Sequence, residues 1–376
     1  MTGIQFDPVD TLFFRTGTPF AMGDDAQEDV AGVFPPHPPS VAGAARVAWA
    51  LANGWNGRSR WPAALVEVLG SGPDDLGRFA MWGPFVLRQG RVLFPAPRHL
   101  LGSAVGKQWQ PRALLRPGRT VCCDLGEAVR LPEHAPSGDE VDLPGPPDGW
   151  WLSRKGMAAV LREELPATAD LVAGASLWAR EPRIGLQRET ATRTAREGMV
   201  YSTQHVRLQP DVSLGVITCG VPESWSKPHG QVVPLGGESR VAELRPWDGD
   251  TRLEMPIERI TSSGKLSVVA LTPLDLDAAV VLGRRALAEL GGAVVISACL
   301  GRAQRIGGWD SLARRPLPLR SVLPAGSVLF CEMREPGRLE AAIVGGELPR
   351  IGERTNQGFG LVALGTWTDA SREVCK

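Results

Sequence analysis

The sequence predicts an α+β protein of two domains, and three observations carry that expectation. Segments with strand signatures alternate with a few helical ones in both halves, without the strict βαβ succession of one doubly wound sheet. The stretch 132–149, PEHAPSGDEVDLPGPPDG, is too rich in Pro, Gly and acid to form a regular element. A length of 376 residues is long for one domain and comfortable for two. The expected division is an N-terminal domain over 1–131, a linker or loop over 132–149 and a C-terminal domain over 150–376.

The elements follow in chain order. Ile4 to Phe6 and Thr11 to Phe14 read as strands. Pro19 and Gly23 open a loop that runs through the acidic patch Asp24, Asp25, Glu28 and Asp29 to the Pro-rich segment 34–39. Ser40 then stands as an N-cap before an Ala- and Val-rich run. Val41, Ala45, Ala48 and Leu51 have the spacing of one buried helix face, and Asn53-Gly54 ends the helix. Strand, loop and helix in this order suit the opening of a ferredoxin-like unit. Beyond the Pro/Gly-rich stretch, Gly156 to Leu165 reads as a helix. Met199 to Leu208, Val212 to Thr218 and Val268 to Leu271 read as strands. Asp277 to Leu290 reads as a helix stopped by Gly291. Ala293 to Cys299, Val328 to Cys331 and Leu361 to Leu364 complete the strands. No fixed-period repeat is present.

Composition narrows the function classes. A hydrophobic fraction of 43% and a charged fraction of 22% are those of an ordinary globular protein. No apolar run approaches the roughly 20 residues of a membrane span. The start, MTGIQFDPVD, lacks a basic region followed by an apolar one, so a cytoplasmic protein without membrane contact is expected. The six cysteines form no C-x-x-C pair, and reduced thiols rather than a zinc site are expected. The acidic patch lacks the alternating ligand spacing of a calcium loop and reads as solvated. No metal is expected.

Charge is balanced overall, with 41 basic and 41 acidic residues. That argues against a strongly basic nucleic-acid binder working alone. The distribution is uneven. Arg180, Arg183, Arg188, Arg193 and Arg196 share a stretch with only Glu181 and Glu189; Arg302, Arg305, Arg314, Arg315 and Arg320 share another with only Asp310. Composition alone favours the coding bias of a GC-rich genome, but such clusters also suit phosphate recognition and base stacking by guanidinium planes.

Few residues offer catalytic chemistry. The segment from Gly352 to Gly360 contains Gly358-x-Gly360-x-x-Ala363, a superficial dinucleotide fingerprint. Only about a dozen residues follow it and they read as a strand, so the βαβ unit that the fingerprint requires cannot fit. No cofactor is expected. Two readings of this segment stay open: a glycine-rich turn into the last strand, or a loop whose N–H groups, with Arg354, Asn356 and Gln357, meet an RNA backbone. The histidines are His37, His99, His134, His205 and His229. Only His205 falls near an arginine cluster, and one base without partners makes no acid–base site. G-x-S-x-G, H-E-x-x-H and Walker motifs are absent.

Several segments read together resemble one family. They are Phe6-x-Pro8-x-Asp10-x-Leu12-Phe13-Phe14-Arg15-x-Gly17-x-Pro19-Phe20, Phe34-Pro35-Pro36 with Pro39-Ser40, and Glu181-x-Arg183-x-Gly185. Thr192-Arg193-Thr194, Glu197-Gly198-x-x-Tyr201 and Leu235-Gly236-Gly237-Glu238-x-Arg240 continue the series. Ile306-Gly307-Gly308-Trp309-Asp310, Pro318-Leu319-Arg320, Pro324-Ala325-Gly326-Ser327-Val328 and Asn356-Gln357-Gly358-Phe359-Gly360 complete it. In this order they are similar to the third-subunit family of the Cmr (type III-B CRISPR) effector complex, within the RAMP superfamily. Residues 55–150 carry no matching segment.

The resemblance implies two ferredoxin-like, RRM-related domains and a non-catalytic subunit in antiviral defence. It implies binding of the repeat-derived 5′ tag of the guide RNA, beside the large palm-domain signalling subunit and the backbone subunit, with no direct DNA contact. The expected RNA contacts are Arg183, Arg188, Arg193, Arg302, Arg305, Arg354, Asn356, Gln357, Gly358 and Gly360. The alternative is a stand-alone endoribonuclease of the same superfamily that processes CRISPR precursor RNA. Such an enzyme needs an acid and a base near the scissile phosphate, and the histidine supply is poor.

Overall fold

The computed structural model describes residues 1–15, 29–30, 32–123, 126–134, 145–310, 312–337, 339 and 347–369. Pro19, Gly23, the acidic patch at Asp24, Asp25 and Glu28, residues 135–144 of the Pro/Gly-rich stretch, Gly345-Gly346 and Cys375 lie outside the described residues. The fold is α+β, built mostly of strands with few helices. Among the described residues no helix is long and apolar enough to cross a membrane.

Two compact units are present. Met1–Gly90, Ala175–Gly249 and Arg305–Ser321 form the first; Arg91–Gly174, Asp250–Gln304 and Val322–Lys376 form the second. The units are therefore interleaved in sequence, and 132–149 falls inside the second rather than between two consecutive domains. The physical reason lies in strand pairing. Thr2–Pro8 pairs antiparallel with Val212–Cys219 on one side and Val241–Trp247 on the other, so the first unit closes only when distant chain returns. A Pro- and Gly-rich composition marks irregular backbone, not a fold boundary.

In the first unit the main strands lie in the order Ala80–Arg88, Val212–Cys219, Thr2–Pro8 and Val241–Trp247, all antiparallel. Val232–Pro234 adds an edge strand beside Val241–Trp247. Alternation places Ile4 and Phe6 on the core face of the first strand, both essentially inaccessible. The helix Pro38–Ala52 buries Val41, Ala45 and Ala48. Its Trp49 Nε1 donates to Thr218 Oγ1 at 3.1 Å, which ties helix to sheet.

The second unit repeats the arrangement. Val294–Cys299, Val328–Glu332, Lys265–Ala270 and Val362–Gly365 lie side by side in that order, again all antiparallel. Its core gathers Leu266, Val268, Leu290, Val295, Leu329, Ile351 and Leu364. Trp367 seals one end: its Nε1 donates to the Cys331 carbonyl at 3.0 Å while Lys265 and Arg130 lie against its ring. Two hairpins, Leu100–Val105 with Gln108–Leu114 and Arg116–Cys123 with Gly126–Glu133, occupy the stretch that matched no pattern. Register shifts and the prolines at 111 and 117 blur the period-2 alternation by which such strands are recognised.

Four sequence expectations need correction. Ser40 is not the N-cap: the first helix begins at Pro38 with His37 in the cap position, because Pro38 and Pro39 need no N–H partner in the first turn. Thr11 to Phe14 is not a strand. Leu12 makes one antiparallel bridge to Val206, while the Phe13 carbonyl accepts from Gly237 N at 2.8 Å, so this backbone is shared between two elements. The helix expected to end at Leu165 spans Arg154–Leu161, capped by Ser153, and the chain turns at Glu163 with φ 64°. Asp277 to Leu290 is not one helix. Asp277 caps a single turn, Ala278–Val281, and a 3₁₀ turn follows at Ala288–Leu290. Gly283 breaks it at φ 68°, where a Cβ would lie 2.3 Å from the Val295 carbonyl oxygen.

Candidate nucleic-acid interface

The first unit carries a long hairpin of Trp178–Arg188 and Ala195–Leu208. Sequence reading caught only its second strand, because arginines and Pro182 mask the alternation of the first. Period-2 geometry sends Glu181 and Arg183 to the same face as Thr203, His205 and Arg207. On that face lies an ion cluster. Asp10 accepts from Arg183 at 3.0 Å, Arg207 at 2.9 Å and Arg240 at 3.1 Å; Glu181 accepts from Arg183 at 2.8 Å and Arg207 at 2.6 Å. Three cations thus face two anions, leaving one positive charge in excess. The Arg183 and Arg207 hydrogen bonds hold the Asp10 carboxyl down at about 2. The same two arginines, Arg207 first, lower Glu181. Fork-shaped guanidinium groups suit such shared acceptance.

Three segments quoted for the family resemblance therefore meet at one place: Asp10 from the N-terminal motif, Glu181 and Arg183 from the central one, and Arg240 from the Gly-Gly segment. Gly236 has φ 90°, and a Cβ there would lie 2.4 Å from the Phe13 carbonyl oxygen, so only glycine lets this turn approach the N-terminal segment. His205 belongs to the same assembly. Its Nδ1 is hydrogen-bonded to Thr11 Oγ1 at 3.0 Å and its ring stacks on Phe13 at 5.0 Å. Burial, then the nearby Arg183 and Arg240 charges, lower its pKa and keep it neutral.

Farther along the hairpin, the Arg188 guanidinium donates to the Arg193 carbonyl at 3.3 and 3.2 Å, bracing the tip. Arg193 is exposed in the left-handed region, φ 55°. At mid-hairpin the Tyr201 ring covers Gly185, where a Cβ would lie 2.2 Å from the ring. The opposite face presents Ile184 and Leu186 to solvent.

The late arginine cluster divides between the units: Arg302 belongs to the second and Arg305 to the first. Both side chains are exposed. The glycine-rich loop lies in the second unit. Arg354 is not presented outward: its Nε donates to Asp275 Oδ2 at 2.8 Å and its guanidinium lies 4.0 Å from the Phe359 ring centroid. Amides of Gly352, Glu353, Gln357, Gly358, Gly360 and Leu361 are bonded within the unit. Gly358 and Gly360 have φ 100° and 74°, and a Cβ on Gly360 would lie 2.0 Å from the Ile351 carbonyl oxygen. Gln357 is buried; Glu353 and Asn356 are exposed.

The ten expected contacts thus fall into a hairpin group, a loop group, and the two separate arginines 302 and 305. Arg207 is not among the sequence candidates; Asp10 and Arg240 figure there only in motifs, and Glu181 only in a motif and as an acid within the arginine-rich stretch. The signal was available in part: Arg207 stands at i, i+2 from His205 on a strand, hence on the same face.

The family model described as CRISPR-associated protein (Cas_Cmr3) matches residues 4–367. No curated protein matches the chain. Among solved structures, a chain of the type III-B Cmr-beta complex bound to cognate target RNA and AMPPnP is 16% identical with a TM-score of 0.51, covering 87% of this chain and 86% of that one. A chain of the same complex bound to cognate target RNA is 17% identical over 87% and 86%, TM-score 0.49. A chain of the Csm3-Csm4 subcomplex of the type III-A interference complex is 10% identical over 89% and 94%, TM-score 0.38.

Proposed function

The chain belongs to the Cas_Cmr3 family of CRISPR-associated proteins, and from that premise we propose that it is a non-catalytic, guide-RNA-binding subunit of a type III-B effector complex. It holds the repeat-derived 5′ tag of the guide and joins the large signalling subunit to the backbone, in the cytoplasm, without contacting DNA itself. The observation that carries this reading is the convergence of three distant family segments on one ion cluster beneath an arginine-bearing hairpin. The cluster orders Arg183, Arg207 and Arg240 while leaving excess positive charge, which suits phosphate contact. The shared strand order of the two sheets supports reading both units as ferredoxin-like, RRM-related folds. The non-catalytic reading is supported by the lack, among the described residues, of a second acid or base bonded to His205, whose Nδ1 is bonded to Thr11 and whose ring stacks on Phe13.

Guides carrying a photo-reactive nucleotide at successive positions test the assignment in the assembled complex. Crosslinks should concentrate in the first several nucleotides and map near 180–196, 302–320 or 352–360. Crosslinks confined to the 3′ end, or to none of these segments, would overturn it. Specific cleavage of CRISPR precursor RNA by the purified chain, lost in His205→Ala, would instead favour an endoribonuclease.

A further inference from the structure

Trp309 stands 61% exposed on the first unit, and among the described residues its indole has no hydrogen bond or ring contact. It belongs to a short antiparallel pair, Trp309–Asp310 with Arg315–Pro316, in which its cross-strand partner Pro316 is exposed too. The backbone beneath it is fixed. Asp310 Oδ1 accepts from Leu312 N at 3.0 Å and Ala313 N at 2.9 Å, Arg314 turns the chain at φ 50°, and Leu317 N donates to the Gly308 carbonyl at 3.0 Å. Gly307 and Gly308 receive the side chains of Leu319 and Leu317, which a Cβ at either position would crowd at 3.0 and 2.9 Å. A large indole is thus held out beside backbone tied by these hydrogen bonds.

The surrounding charge selects what can cover it. Residues 305–321 hold four arginines and one acid, Asp310, whose carboxylate is already used by the turn. Arg305, Arg314 and Arg315 are exposed and have no ion pair among the described residues. An unpaired nucleotide supplies both complements at once, a flat π face for the indole and a phosphate for a guanidinium fork. We propose that Trp309 is a stacking platform for one unpaired nucleobase of the bound RNA, with Arg314, in the turn that follows it, taking an adjacent phosphate. This rests on the RNA-binding reading above and adds to it a residue and a mode of contact.

Fluorescence anisotropy of the full chain with a labelled single-stranded guide tests it. Trp309→Ala should weaken binding about 5- to 100-fold, and Trp309→Phe should retain most of the affinity. An abasic scan of the RNA should find one position where base removal costs little more in Trp309→Ala, because the two changes delete the same contact. Wild-type affinity for Trp309→Ala, or strict additivity at every abasic position, would overturn the stacking role and leave the RNA-binding reading standing. Unchanged RNA affinity with loss of co-purifying complex subunits would assign Trp309 to a protein contact instead. Absence of RNA binding by the wild-type chain, both alone and within the complex, would overturn the functional reading itself. Thermal melts of both variants control for folding.

Discussion

Asp10 is the hub of the first unit's charged face, since a single carboxylate accepts from three arginines. Its folded pKa of about 2 lies below the ordinary 3.8, so its stabilising contribution is complete above about pH 4 and is lost as pH falls toward 2. Asp250, held at about 2 chiefly by Arg154, adds to the same acid limb. Asp10→Asn should flatten the fall in melting temperature between pH 4 and 2. At neutral pH it should cost about 1 kcal/mol, a value kept small because the carboxylate is partly solvent-exposed. His205 runs with the same sign at higher pH. Burial keeps it neutral when folded, so the unfolded chain binds more protons as pH drops through the ordinary histidine range, and stability falls there. His205→Ala should reduce that step, which His37 and His99, pushed down to about 4 by burial, also supply. It should cost about 1–3 kcal/mol in chemical denaturation, through the lost Thr11 bond and Phe13 stack. Neither the hub nor the stack was legible beforehand: Asp10 and Arg240 are 230 positions apart, and nothing local signals their meeting.

At the level of elements, the glycine-rich loop and the long hairpin answer to different constraints. The loop's glycines are set by the backbone around them. Gly360→Val drives a side chain into the Ile351 carbonyl at a positive φ, and we expect loss of soluble protein or a melt lowered by at least about 3 kcal/mol. Asn356→Ala should leave the melt within about 0.5 kcal/mol, so any loss of guide retention in that variant reports on RNA rather than on folding. Gly358, Gly360 and Arg354 are held by the backbone and side chains of the turn, while Asn356 is exposed. In the hairpin, Gly185→Val should displace Tyr201 from its seat. Amide exchange should then quicken over 178–208 while the strands of the first sheet stay protected, because the hairpin pairs outside that sheet.

For the whole molecule, 41 positive and 41 negative charges give no long-range pull on RNA. Affinity of the isolated chain should therefore be weak and carried by local phosphate contacts. Its logarithm should fall with the logarithm of salt concentration at roughly 0.7 per phosphate neutralised on a single strand, so three or four contacts give a slope of about −2 to −3. Titrations between low and moderate salt check this, and a salt-independent affinity would assign binding to uncharged contacts. Arg183, Arg207 and Arg240 are ordered on Asp10 and Glu181, so a protein without a basic composition still gathers three guanidinium groups in one place.

By itself the sequence determined the α+β class, the first helix and its end at Asn53, all four strands of the second unit's sheet but only Thr2–Pro8 and Val212–Cys219 of the first unit's, and the family. Those rest on local rules: side-chain period, capping, glycine at turns, and motifs in a set order. Tertiary structure decided the rest. It interleaved the units, because the strand Thr2–Pro8 is completed only by partners more than 200 residues away. It ended the expected 277–290 helix at Val281, because Gly283 must fit against the Val295 carbonyl. It turned Arg354 inward to Asp275 and Phe359, and drew Asp10, Glu181, Arg183, Arg207 and Arg240 into one cluster. Each of these outcomes depends on contacts between residues far apart in the chain, where spacing along the sequence says nothing about distance in space.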